Sequence, residues 1–420
     1  MNDTCPDQGA FDLSPAAGWT HRHPDGLRLT PLPPAAGYGS MATGQGTPLF
    51  DTTTLLNRLR RDHLLQALLL LMLALAIADP RPGWDYLGWL DLPTLAGLCG
   101  LLILAQSVQM SGHVQRFALH LIAGLQSLRA LALCLVLLAA ALATVLTNDV
   151  ALFLMVPLTL AVDRLAHIPR QRLVIFEALA VNAGSTFSPI GNPQNLLLWQ
   201  HSGLGFFGFV AALAPTGAVL LGVLLVACGF AFPATPLQLD GREPEPAVGR
   251  DTPLLVGSVL MLAAMVAALQ WGAAIPAALA VAAVGLVFFR NVLARVDWLL
   301  LVTFAAMFTG LGHLAALPWV QSHVGALVAR DPRTLYAGGI VLSQLISNVP
   351  ATVLLQPYTS NLAVLAAAVN VGGSGVMIGS LANLIALRLD GSRGIGWRFH
   401  AWSMPYLVVT GVLVALLALR

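Results

Sequence analysis

The 420-residue chain is 57% hydrophobic and 10% charged, against about 25% charged residues in soluble domains, so it cannot build a water-facing surface. Its net charge is only +2, and its basic residues are all arginines gathered at the ends of apolar runs, which excludes the basic stripe of a nucleic-acid binder. Cys5, Cys99, Cys134 and Cys228 show neither disulfide nor metal spacing, and no glycine-rich phosphate loop marks a primary pump.

Residues 1–55 are polar and rich in Pro and Gly, without the basic-then-apolar pattern of a cleaved signal, and are predicted to form a disordered extension, with Met41 as an alternative start. The first repeat is assigned to 56–232. Arg58, Arg60 and Arg61 precede a span near 64–78, and Asp79, Asp85 and Asp91 follow it, so the bias in arginine sets the N-terminus in the cytoplasm. A span near 93–110 returns, and 114–128 is amphipathic enough to lie along the inner surface.

Two apolar arms, about 130–146 and 150–162, then meet at Thr147-Asn148-Asp149 and carry arginine at both open ends. The second arm reaches only about 20 Å, short of a bilayer core, which argues for a re-entrant hairpin. The next crossing, about 173–200, is interrupted by Gly184-Ser185-Thr186-Phe187-Ser188-Pro189-Ile190-Gly191-Asn192-Pro193. Two prolines and two glycines cannot continue a helix, so two half-helices joined by extended chain are expected. A span at 206–232 leads to a charged cytoplasmic linker, 233–252.

The second repeat is assigned to 253–420. Spans near 254–270, 273–289 and 298–314 precede a second hairpin of arms 334–346 and 350–358, tipped by Ser347-Asn348-Val349-Pro350. A second broken crossing at about 361–387 and a final span follow. The fold class expected is an all-α polytopic membrane protein with about nine full spans and two hairpins. The second hairpin falls one crossing out of phase with the first, which makes the halves an inverted repeat.

The sequence itself repeats. Leu146-Thr147-Asn148 matches Ile346-Ser347-Asn348 at an offset of 200. Gly184, Thr186, Ile190, Gly191, Asn192, Asn195 and Leu196 match Gly372, Ser374, Ile378, Gly379, Ser380, Asn383 and Leu384 at an offset of 188, seven positions in thirteen. A single Ser, Thr or Asn in a membrane helix more often bonds its own helix than a ligand. Breaks that recur in duplicate point instead to enclosed backbone around a cavity.

The chemistry of such a site is legible. A second half-helix offers unpaired N–H groups to an anion, a first half-helix offers carbonyls to a cation, and Asn at a hairpin tip offers both an amide oxygen and an NH₂. Binding of ion and substrate is therefore expected at Thr147, Asn148, Asp149, Gly184, Ser185, Thr186, Gly191, Asn192, Asn195, Ser347, Asn348, Gly373, Ser374, Gly379, Ser380 and Asn383, with Na⁺ at Asn148 and Asn348. Two acids break the repeat, Asp149 facing Val349 and Glu177 facing Leu365. An ionisable group inside a membrane segment is a functional candidate, so both are coupling candidates, with pairing to Arg170 or Arg172 as the alternative for Glu177. No cofactor is expected beyond a coupling Na⁺ or H⁺.

LTNDVALFLMVPL, EALAVNAGSTFSPIGNPQNLLLW, LISNVPATVLLQP and VNVGGSGVMIGSLANLIALR resemble the four signature segments of the ion transporter superfamily of arsenite permeases, sodium/proton antiporters, citrate carriers and divalent anion/sodium symporters. The likeness covers about 55–420 and is greatest to bacterial inner-membrane anion permeases with a citrate-transporter domain. It implies a non-enzymatic secondary carrier in the bacterial inner membrane, with a homodimer among its expected partners. The tips of dicarboxylate carriers read Ser-Asn-Thr, so Thr147-Asn148 and Ser347-Asn348 would hold Na⁺ and carboxylate, whereas Asp149 and Val349 depart from that pattern.

The leading expectation is a carrier for a small anion, a di- or tricarboxylate or an inorganic oxyanion, coupled to Na⁺ or H⁺. The rival is a Na⁺/H⁺ antiporter exchanging at Asp149. A remote alternative is an intramembrane serine protease, because Gly372-Gly373-Ser374-Gly375 fits a GxSG pattern; its repeat partner lacks that pattern, and no His faces it.

Overall fold

The computed structural model describes residues 62–166, 168–237 and 249–419, and its only β feature among them is an isolated bridge between Ser127 and Pro236. The predicted disordered extension and most of the predicted linker lie outside the described residues. The apolar runs become α1 (His63–Ala78), α2 (Leu92–Met110), the amphipathic α3 (His113–Ala123), α4 (Leu128–Val145), α5 (Asn148–Ala166), α6 (Arg170–Ser185), α7 (Pro193–Ser202) and α8 (Phe206–Ala231). There follow α9 (Thr252–Gln270), α10 (Ala274–Phe288), α11 (Trp298–Ala316), α12 (Pro332–Ile346), α13 (Asn348–Leu355), α14 (Leu362–Gly372), α15 (Leu381–Asp390) and α16 (Ile395–Ala418).

Local chemistry fixes where these helices begin. Asp62, Asp91, Ser127 and Asp251 each accept a hydrogen bond from a first-turn N–H, of Leu65, Thr94, Ala130 and Leu254 respectively, which satisfies a donor that would otherwise be stranded. Six helices, α2, α4, α8, α9, α11 and α16, are long and apolar enough to cross a membrane by length and composition. Their outward faces carry Phe230, Trp397 and Phe207 at 87%, 86% and 82% exposure, as expected where the solvent is lipid.

Both interrupted crossings are broken where Pro and Gly cluster. α6 ends at Ser185 and α7 starts at Pro193; α14 ends at Gly372 and α15 starts at Leu381. The hairpins turn tightly, the first on Leu146 and Thr147 between α4 and α5 and the second on Ser347 alone between α12 and α13. The second arm of the first hairpin is longer than its apolar run suggested. Its 19 residues reach about 28 Å, because the polar end is held by an ion pair of Asp163 with Arg170 at 3.6 Å. The corresponding α13 has 8 residues and reaches only about 12 Å, so arm length argues for re-entry in the second hairpin.

Two groups of helices emerge from the packing. α1, α2, α9, α10 and α11 pack on one another, while the hairpins, the broken crossings, α8 and α16 form the other group. Within the latter the second half-helices are exchanged: α15 packs on α5 and α6, and α7 packs on α13 and α14. On the first group, His313 is wholly buried, stacks on Trp89 with ring centroids 4.9 Å apart, and lies 3.3 Å from Asp79, closing the end of α1 against α11.

Close backbone approach fixes the glycines at the breaks. A Cβ on Gly184 would lie 2.5 Å from Cα of Ala140, and one on Gly372 would lie 2.5 Å from Cβ of Ser343, so α6 can pack on α4, and α14 on α12, only with hydrogen at these positions. Gly184→Ala is expected to cost about 3 kcal/mol and to remove most of the monodisperse peak in detergent size-exclusion chromatography, whereas Gly222→Ala, on open space in α8, should leave that peak unchanged.

Candidate functional site

The N-terminal ends of α5, α13, α7 and α15 meet at one buried cavity. It is lined by Asn148 and Asp149 of the first tip, Ser347, Asn348, Val349 and Pro350 of the second, Pro193 and Gln194 of α7, and Ser380 and Leu381 at the start of α15. The opposite wall is Leu64 of α1 with Leu300, Thr303, Phe304 and Met307 of α11. One helical group thus supplies a mostly polar side and the other a mostly apolar one. The cavity volume is about 20 Å³, room for one water molecule or a bare cation.

The tips are built alike. Asn148 Oδ1 accepts from the N–H of Asp149 at 3.0 Å, and Asn348 Oδ1 from the N–H of Val349 at 2.9 Å. Among the described residues each Nδ2 is outside any hydrogen bond, leaving it as a donor beside the cavity. The backbone N–H of Asn148 donates to Gly191 O at 2.9 Å, which fastens the first tip to the first break. Two lining acceptors, Asp149 Oδ1 and Gln194 Oε1, are buried and have no hydrogen-bond partner. A buried acceptor left so is costly, and a cation or water in the adjoining cavity satisfies it. Ser347 turns its chain at φ 77° and ψ 156°, a conformation that suits glycine and costs other residues about 1–3 kcal/mol.

Of the residues expected at the site, Asn148, Asp149, Ser347, Asn348 and Ser380 line this cavity. Gly184, Ser185, Thr186, Gly191, Asn192, Asn195, Gly373, Ser374, Gly379 and Asn383 stand behind it, where they hold the breaks together, and Thr147 lies in the turn between the arms. Glu177 is elsewhere: fully buried, it accepts a hydrogen bond from Thr159 Oγ1 at 2.5 Å. It pairs with neither arginine, since Arg170 faces Asp163 and Asp390 and Arg172 donates to Ala231 O. Ser374 Oγ is buried without a hydrogen-bond partner, so no base stands within reach to activate it as a nucleophile.

The bracing depends on two asparagines that the sequence reading passed over. Asn182 Nδ2 donates to Asn383 Oδ1 at 2.8 Å, and Ser380 Oγ donates to Asn182 Oδ1 at 3.0 Å. In the other half, Asn370 Nδ2 donates to Asn195 Oδ1 at 2.7 Å, and Asn192 Nδ2 donates to Asn370 Oδ1 at 3.1 Å. Every partner is its counterpart at the offset of 188, and Asn182 and Asn370 are themselves such a pair. The pattern continues outward. Asn195 Nδ2 donates to Ser185 O at 3.2 Å and Asn383 Nδ2 to Gly373 O at 2.9 Å, while Thr144 Oγ1 reaches Gly184 O at 2.9 Å and Gln344 Nε2 reaches Gly372 O at 2.6 Å. The carbonyls at the ends of both first half-helices are therefore already occupied by side-chain donors.

Removing either clasp strands buried polar groups. Asn182→Ala and Asn370→Ala are each expected to cost about 1–3 kcal/mol, seen as similar falls in the melting midpoint of the detergent-purified protein. Ser347→Gly should instead raise that midpoint, by relief of about 1 kcal/mol or more of backbone strain.

The sequence model of a family described as citrate transporter matches residues 52–365. The chain is 42% identical over 354 residues to inner membrane protein YbiR of Escherichia coli strain K12, covering 84% of this chain and 94% of that protein. It is 30% identical over 353 residues to the uncharacterized transporter MJ0456 of Methanocaldococcus jannaschii, covering 82% of this chain and 94% of the relative. It is also 24% identical over 464 residues to the P protein of Homo sapiens, covering 80% of this chain and 54% of that protein.

Proposed function

The chain belongs to the citrate transporter family and is a multi-pass membrane transporter, and we propose that it carries a small anion across the bacterial inner membrane by alternating access, coupled to Na⁺ or H⁺. In this reading α1, α2, the α6–α7 crossing, α8, α9, α10, α11, the α14–α15 crossing and α16 are nine spans, the two hairpins enter from opposite faces, and the N-terminus is cytoplasmic. The observation that carries the proposal is the meeting of both Asn-tipped hairpins and both second half-helices at one buried cavity.

The electrostatics favour an anion accompanied by a cation. Four helix N-termini at about half a positive charge each outweigh the single carboxylate in the lining, Asp149. A di- or tricarboxylate or an inorganic oxyanion suits such a cradle, with Asn148 Nδ2 and Asn348 Nδ2 as donors to it. At about 20 Å³ the cavity must widen to admit that anion, and its apolar wall on α1 and α11 is the side that the other group would slide along. Protonation of Asp149, or Na⁺ beside it and Asn148, removes the one repulsive charge and strengthens anion binding, which is the linkage a symporter requires.

A second reading, Na⁺/H⁺ antiport, is favoured by one observation: Asp149 is the only ionisable side chain in the lining, and its buried Oδ1 has no partner. Proteoliposomes separate the two. Accumulation of labelled citrate, succinate or sulfate under an inward Na⁺ or H⁺ gradient is expected for the symporter, and Na⁺-driven change of internal pH without any anion for the antiporter. Asp149→Asn is expected to bind anion yet lose at least tenfold of the gradient-driven uptake, an effect of about 1.4 kcal/mol; full retention would remove Asp149 from coupling.

A further inference from the structure

A second cavity lies at the other end of the hairpin group, away from the tips. It is a cleft of about 600 Å³ between the start of α6 and the first turns of α16, lined by Asp163, Arg170, Arg172, Gln171, Arg398 and Trp402 among others. Three guanidiniums line one cleft in a chain that has few charges. Arg170 is shared between Asp163 at 3.6 Å and Asp390 at 3.0 Å, whereas Arg172 and Arg398 face no carboxylate at ion-pair distance among the described residues, so these two guanidiniums are left to meet an anion and the cluster keeps a net positive charge.

Arg172 is held in place for this. Its NH1 donates to Ala231 O, the last residue of α8, at 2.6 Å. Its guanidinium carbon lies 5.9 Å from the Phe232 ring centroid and 5.8 Å from that of Trp402. One N–H group is spent on the carbonyl and the remaining donors stay fixed over the aromatic platform, an arrangement that suits the oxygens of a phosphate. The cleft also meets the N-terminus of α6, whose cap residue Pro169 provides no side-chain hydrogen bond, so the dipole adds to the field.

The surroundings say which kind of phosphate. Trp397, beside Arg398, is 86% exposed, and Phe230, beside Ala231, is 87% exposed. Below them Val226 of α8 and Val408 of α16 are each 62% exposed. Exposed aromatics next in sequence to the residues that build the cleft, with exposed apolar side chains further along the same two helices, are what a protein presents to a lipid at the membrane interface. A bare inorganic anion would use none of those apolar side chains.

We propose that this cleft binds the headgroup of an anionic glycerophospholipid, with the phosphate on Arg172 and Arg398 and the acyl chains along α8 and α16. The assignment does not rest on the transported substrate or on the coupling ion. It gives the membrane a hold on the hairpin group at a point that the cavity residues do not touch.

Native mass spectrometry and thermal unfolding of the full chain in neutral detergent test it, with short-chain phosphatidylglycerol, phosphatidylcholine of the same chain length, and free glycerol phosphate as probes. The expected result is retention and stabilisation by phosphatidylglycerol at least about tenfold above phosphatidylcholine, with each of Arg172→Gln and Arg398→Gln reducing that preference roughly fivefold and free glycerol phosphate giving no shift. Arg398 is exposed, so Arg398→Gln carries the test alone if Arg172→Gln does not fold. Equal binding of the two lipids, an undiminished preference in Arg398→Gln, or a shift with glycerol phosphate equal to that with the lipid would overturn the assignment, the last in favour of a soluble anion.

Discussion

A helix broken inside a membrane strands N–H and C=O groups where water cannot reach them, and the whole arrangement depends on how those groups are satisfied. Each one left bare costs several kcal/mol. Here carboxamides do most of the work: Asn195 and Asn383 cap the carbonyls of Ser185 and Gly373, and Asn370 and Asn182 in turn hold Asn195 and Asn383 from the opposite half. A carboxamide carries both donors and an acceptor, so a pair of them can satisfy a broken helix and clasp a neighbour at the same time without introducing charge. That explains why these breaks are lined with Asn where a soluble protein would have used water.

The clasps also decide what can move. Since α7 is tied to α14 and α15 to α6 by reciprocal hydrogen bonds, the two hairpins and the two broken crossings form one braced body. The contact across the cavity is of another kind: Leu300, Phe304, Met307 and Leu64 present mostly apolar side chains to the tips. Dispersion contacts lack the directionality of a hydrogen bond, so a surface of this sort can slide without stranding polar groups. In the proposed carrier, the braced body would shift against α1 and α11 and expose the cavity to one side at a time.

Much of this was legible in the sequence because Pro, Gly and Asn have few places to go in lipid. The interruptions at Gly184–Pro193 and Gly372–Ser380 and the tips at Thr147 and Ser347 fall where the chain cannot remain helical. Asn182 and Asn370 escaped because each sits inside a helix between small apolar residues, where an asparagine reads as a local packing choice. The signal was available, since they stand 188 residues apart, like the partners they hold. The length of α5 was misjudged for a different reason: an apolar run ends where polarity begins, whereas a helix continues for as long as its polar end finds partners, as Asp163 does in Arg170. Of the two places considered for Glu177, a coupling site and an ion pair with Arg170 or Arg172, the second is not formed: its carboxylate accepts from Thr159, a contact that depends on how α5 and α6 rotate about their axes, which hydrophobic patterning alone does not specify.

The duplication makes Asp149 the more informative. A two-fold cradle of Asn tips and helix N-termini has no preference between its halves, and a neutral version of it would hold an anion by dipoles alone. Replacing one threonine-like position by a carboxylate while its counterpart is Val349 breaks that equivalence on a single side. The field at the cavity then depends on whether one site is charged, neutral or covered by a cation. A change of one unit charge about 4 Å from a bound ion is worth about 4 kcal/mol at the effective dielectric of a protein site, comparable to the whole binding energy of a millimolar ligand. In the proposed anion carrier a symmetric pair of acids would repel the substrate twice and need two ions to neutralise, whereas a single acid would make binding conditional on one.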